Sequence, residues 1–147
     1  MPSEFAGKVA VITGGSRGIG REIAVDFAKA GAQTVIVSSS DTNLAAASQT
    51  IGGAGGPATL AINADLRKLE GVQQVFDTVK AKFGCCDVLV NSAGATKAGN
   101  FVDLPDEAWM NGYVSSFTSW SYAQEAFNKW SAAFARRFAE LRSQSPQ

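Results

Sequence analysis

The 147-residue chain is 46% hydrophobic and 18% charged, with thirteen basic and thirteen acidic side chains and no net charge. That composition fits one domain with a sizeable core, and it leaves no basic footprint for nucleic acid or an anionic membrane. With no histidine in the chain, the usual metal ligand and the usual neutral-pH base are missing, so acid–base chemistry falls to Tyr, Lys, Asp, Glu or Cys.

Met1-Pro2-Ser3-Glu4 lacks the basic-then-apolar pattern of a secretory signal. No apolar run reaches the length of a membrane span, so the expectation is a cytoplasmic protein. Residues 9–13 read as a first strand. The run Gly14-Gly15-Ser16-Arg17-Gly18-Ile19-Gly20 follows and leads into a helical pattern over 18–30. Such a turn lets backbone N–H groups approach a pyrophosphate with no Cβ in the way, and the helix aims its positive end at the same anion. Ile19, Ile23, Val25, Phe27 and Ala30 are read as the apolar face of that helix, and Gly31 as its stop.

With Thr13 in front, the spacing is Thr-Gly-x-x-x-Gly-Ile-Gly. This resembles the cofactor loop of the short-chain dehydrogenases/reductases, and the lead-in from Phe5 to Ala10 resembles that family's start. The resemblance implies a Rossmann-like fold and a dinucleotide held by Thr13, Gly14, Ser16, Arg17, Gly18, Ile19 and Gly20.

The second strand is expected over 34–37. In the family, an Asp or Glu at its end favours NAD by holding the ribose 2′-OH. Here Ser38, Ser39 and Ser40 stand in that place, and Arg17 is a cation able to reach a 2′-phosphate. The lean is towards NADP. NAD is the alternative, with Asp41 in the acidic part. Asp41 is preferred as the N-cap of a second helix that ends near Thr50 or Ile51. The glycine-rich stretch 52–57 reads as a flexible surface connector.

A third strand is expected over 58–62. Asp65 after it resembles the family residue that accepts from the adenine amino group, with Leu66 packing on the ring. The alternative for Asp65 is an N-cap, and the two roles are compatible. Val72, Val75, Phe76, Val79 and Phe83 mark a helix over 69–83 closed by Gly84. Cys85 and Cys86 read as ordinary turn residues. A fourth strand over 87–91 leads into Asn91-Ser92-Ala93-Gly94. This resembles the family's Asn-Asn-Ala-Gly turn, so Asn91, Ala93 and Gly94 are expected at the cofactor ribose. The alternation predicts an α/β fold, a doubly wound parallel sheet in the order 3-2-1-4.

Pro105 and Asp106 mark a further helix start. The resemblance extends to about Tyr113, so residues 1–113 read as the dinucleotide-binding region and 114–147 as a divergent helical tail of the same domain. The family's Tyr-x-x-x-Lys would move the substrate proton, but Ala126 stands four residues after Tyr122, and Lys129 comes seven after it. The helix Asn of the family would fall near Ser116. No catalytic residue is therefore assigned. Phe117, Trp120, Phe127, Trp130, Phe134, Phe138 and Leu141 fall in one stripe, either a core helix or an interface that pairs two copies.

Two functions follow. One is an oxidoreductase transferring hydride between NADP(H) and a carbonyl or secondary alcohol. The other is a non-catalytic dinucleotide-binding module, the product of a truncated or frame-shifted reductase gene.

Overall fold

A computed structural model describes residues 3–94, 98–100 and 103–112. The expected tail helix over 114–147 and its aromatic stripe lie outside them.

Four parallel strands form one sheet in the order β3-β2-β1-β4. They are β1 (Val9–Thr13), β2 (Gln33–Ser38), β3 (Leu60–Asn63) and β4 (Val88–Asn91). Three helices connect them: α1 (Gly18–Lys29), α2 (Asp41–Gly52) and α3 (Leu69–Phe83). The doubly wound α/β arrangement and its strand order are those expected. Strand β1 lies between β2 and β4, with Thr13 opposite both Val37 and Asn91.

Every residue of β1 is buried, because successive side chains point to opposite faces and both faces are covered. Val9 and Val11 join Val35, Val37 and Ile62 beneath Val72, Val75, Phe76 and Val79 of α3. Ala10, Ile12 and Ile36 pack on the other face against Ala24 and Ala28 of α1 and Leu44, Ala47 and Ile51 of α2. The chain thus places α1 and α2 on one side and reverses through α3 on the other. That reversal opens the crevice at the carboxyl ends of β1 and β4.

Several boundaries differ from the expected ones. Strand β2 gains a residue at each end, pairing Gln33 with Val9 and Ser38 with Asn63. Strand β3 begins two residues late. The approach to it is held by side chains instead, with Gln33 Nε2 donating to Ala58 O at 2.5 Å and Thr34 and Thr59 hydroxyls 2.9 Å apart. Strand β4 begins at Val88 because the Asp87 carboxylate takes the Val9 N–H at 2.8 Å, so a side chain stands in for a backbone acceptor. Helix α1 ends at Lys29 with Ala30 as its cap, followed by bonds from Gly31 N to Ala28 O and Ala32 N to Phe27 O.

The N-cap of α2 is Ser40, not Asp41. Ser40 Oγ accepts from Asn43 N at 3.3 Å, and Asp41 becomes the first helical residue. Its acid suits the positive helix end, and Asn63 Nδ2 donates to its Oδ1 at 2.7 Å. Ile19 is no part of the core face of α1, being 78% exposed. The stripe at i, i+4 and i+8 is Gly20, Ala24 and Ala28, all buried, and Ile19 sits one residue off it. Cys86 belongs to the core beside Val9 and Val79, and burial pushes its thiol up to about 12. Among the described residues no helix is long and apolar enough to cross a membrane.

Candidate functional site

A cleft of about 1230 Å³ opens at the carboxyl ends of the strands. The loop between β1 and α1 forms its floor. Gly14 N donates to Val37 O at 2.9 Å, which ties the start of the loop to the end of β2. Gly14 has φ +67°, and a Cβ there would lie 2.7 Å from Ser92 O and 2.8 Å from Ala93 N. The loops after β1 and β4 are therefore in backbone contact.

Thr13 locks that contact. Its buried Oγ1 donates to Val90 O at 3.2 Å and accepts from Ser92 N at 3.1 Å and Ala93 N at 3.2 Å. One hydroxyl thus holds the exit of β4 to the end of β1.

Helix α1 begins under the cleft with Arg17 as its N-cap. Arg17 is extended there, caps with no side-chain hydrogen bond, and no acid lies in the first turn. Among the described residues the first N–H groups of α1 have no side-chain acceptor, and they carry the positive end of the helix dipole. At Gly18 a Cβ would meet nothing within 4 Å, so the backbone faces open space. The exposed Arg17 guanidinium has no acidic partner among the described residues.

The far end of the cleft is built from β2 and β3. Ser38 and Ser39 line it, together with Asp65, Leu66 and Arg67. Asp65 is not an N-cap, because α3 starts after Lys68. Its Oδ1 accepts from Arg67 Nε at 2.8 Å and from Arg67 N at 3.1 Å, and its Oδ2 accepts from Arg67 Nη2 at 2.9 Å. These bonds hold the Asp65 carboxyl down at about 2.

The sign of that shift gives a test. A depressed carboxyl pKa adds stability above the ordinary value of 3.8, and that contribution is lost as pH falls from there through about 2. A carboxyl-detected NMR titration should find Asp65 still ionised at about pH 3, whereas in Arg67→Ala its midpoint returns towards the ordinary value. A wild-type midpoint at the ordinary value would contradict the clamp.

The cleft gathers Gly14, Ser16, Arg17, Gly18, Ile19, Gly20, Ser38, Ser39, Asp65, Leu66, Ala93 and Gly94. Thr13, Ser40 and Asn91 do not line it. Thr13 lies beneath, Ser40 caps α2, and Asn91 ends β4 with its buried Oδ1 lacking a hydrogen-bond partner among the described residues. Sequence reasoning missed Arg67, Ser92, Glu107 and Asn111 as lining residues. Glu107 and Asn111 come from a helical stretch over 106–112 and face the cleft one turn apart, a spacing that signalled a shared face but not which one.

Comparison with known proteins places this geometry. The model of the short chain dehydrogenase family matches residues 8–132. A short chain dehydrogenase/reductase of Macrophomina phaseolina is 41% identical over 108 residues, covering 73% of this chain and 62% of that protein. The oxidoreductase UcpA of Salmonella typhimurium is 39% identical, over 71% of this chain and 39% of its own length. The chain therefore spans less than two thirds of these curated relatives. Among solved structures, a metagenomic short-chain oxidoreductase in complex with NADP superposes with a TM-score of 0.77 at 31% identity, covering 88% of this chain and 58% of that one.

Proposed function

Because the chain belongs to the short-chain dehydrogenase/reductase family of oxidoreductases, we propose that its cleft binds NADP(H) and that the function served is hydride exchange with a carbonyl or secondary alcohol. The observation that carries this reading is one continuous cleft joining the bare N-terminus of α1, the Ser38–Ser39 corner and the Asp65–Leu66 turn. The residues fit such a group chemically. Unpaired N–H groups at a helix start suit a pyrophosphate. Leu66 offers an apolar wall and Asp65 an acceptor for an adenine ring, and Ala93 and Gly94 line the side where a ribose would lie.

NADP is preferred to NAD for an electrostatic reason. Arg17 and two serines border the corner where a 2′-phosphate would sit. Asp41, the acid that would repel it, is turned to Asn63 and does not line the cleft. A bound NADPH would supply the hydride. The chain's residues position and desolvate it.

Ala126 in place of the family's Lys favours a second reading, in which this polypeptide binds the dinucleotide without turnover. Titration of the 147-residue chain with NADPH and NADH, followed by nicotinamide fluorescence and thermal midpoint, tests the binding. NADPH is expected to bind more tightly. Arg17→Ala should weaken NADPH about tenfold and leave NADH nearly unchanged. No response to either cofactor at millimolar concentration would sink both readings. Binding with no consumption of NADPH across a panel of carbonyls would select the second.

A further inference from the structure

We propose that Arg67 is a positioning residue of the cleft, holding Asp65 so that one carboxylate oxygen is presented to the exocyclic amino group of a purine. The inference rests on the dinucleotide reading and deepens it.

The hydrogen-bond arithmetic carries the argument. A carboxylate oxygen has two lone-pair directions. Asp65 Oδ1 spends both, on Arg67 N and Arg67 Nε. Oδ2 spends one, on Arg67 Nη2, and among the described residues keeps the other. The guanidinium fork fixes the plane of the carboxylate, so the direction of that remaining lone pair is set before any ligand arrives. Asp65 and Arg67 both line the cleft, with Leu66 between them as an apolar wall. An ionised carboxylate only accepts, so the group it selects is a donor, such as the amino group of adenine rather than the oxo group of hypoxanthine. The fork also holds the carboxyl at about 2, below its ordinary value of 3.8.

Arg67 is exposed and Asp65 half-buried, their side chains being 68% and 30% accessible. Ion pairs there contribute little to folding, so the role of Arg67 can be removed without removing the fold. The Arg67 N–H bond to Oδ1 survives replacement by Ala or Lys, which limits the expected loss to orientation.

The test measures dissociation constants of the full chain for NADPH and for its hypoxanthine analogue, by nicotinamide fluorescence. Wild type is expected to favour NADPH about tenfold. Arg67→Ala should bring that ratio to about two, with affinity for the analogue unchanged within a factor of about two. Arg67→Lys, a point charge without the fork, should fall between. In an Asp65→Ala background, Arg67→Ala should leave the ratio unmoved. An unchanged ratio in Arg67→Ala overturns the proposal. So does equal weakening towards both ligands, which is the mark of general attraction for phosphate. A wild type that binds both analogues equally overturns it while leaving the dinucleotide reading intact. A wild type that binds neither overturns both.

Discussion

Gly14→Ala should cost roughly 3 kcal/mol or more of folding stability and lower the thermal midpoint by about 10 °C. Two effects add. Gly14 has φ +67°, a conformation that costs an L-residue about 1 kcal/mol. The larger effect is steric, because the new Cβ would lie 2.7 Å from Ser92 O and 2.8 Å from Ala93 Cα. Both neighbours are backbone, so neither can rotate away. The loops after β1 and β4 would have to separate, which breaks the Thr13 bonds to Ser92 and Ala93. Gly18→Ala is the control. Gly18 also has positive φ, +53°, but a Cβ there meets nothing within 4 Å. Its cost should be strain alone, about 1 kcal/mol. Equal losses in the two variants, measured by urea unfolding, would mean that close approach of the loops does not govern stability.

The second large effect is expected from Thr13→Val. The shape is kept and the hydroxyl lost, leaving the N–H groups of Ser92 and Ala93 without their Oγ1 acceptor in a site where Thr13 itself is 1% exposed. Leaving a buried donor unsatisfied costs about 1–3 kcal/mol; Ser92 and Ala93 are half-buried, so the pair should cost roughly 2 kcal/mol. Thr13→Ser keeps the oxygen and should recover most of that. Nucleotide binding should weaken in Thr13→Val even where folding is complete, because Ser92, Ala93 and Gly94 line the cleft that the hydroxyl holds in place. A folded Thr13→Val with wild-type affinity would show that the cleft tolerates movement of that loop.

These two residues also show what was legible. Thr13 and Gly14 stand in a motif whose spacing marks a strand, a turn and a helix start. The motif was read there for contact with a ligand. The structure adds that the Thr13 hydroxyl makes bonds to residues 77–80 positions away, a partnership that no local pattern contains. Arg67 was invisible for the opposite reason. It lies two residues from Asp65, and an exposed Arg beside an Asp is common enough to pass as solvated surface.

Local sequence determined the elements wherever the chemical signal is itself local. The bounds of β1 and α3 agree with expectation at both ends, because β1 is a continuous apolar run and α3 has a full-length apolar period closed by Gly84 at φ +68°. Alternation of strands and helices, with the handedness of crossovers, also determined the order β3-β2-β1-β4. Tertiary structure decided what depends on directions and on distant partners. It turned Ile19 outwards, since the helix packs through the small stripe of Gly20, Ala24 and Ala28. It gave the cap of α2 to Ser40 and sent Asp41 to Asn63. It delayed β3, where side chains rather than backbone hold residues 58 and 59. The glycine-rich loop was readable because it is one contiguous stretch. The far end of its cleft was readable only in part: Ser38, Ser39, Asp65 and Leu66 stand in recognisable turns after their strands, whereas the Arg67 side chain and the face carrying Glu107 and Asn111 reach the cleft through directions that no local pattern contains.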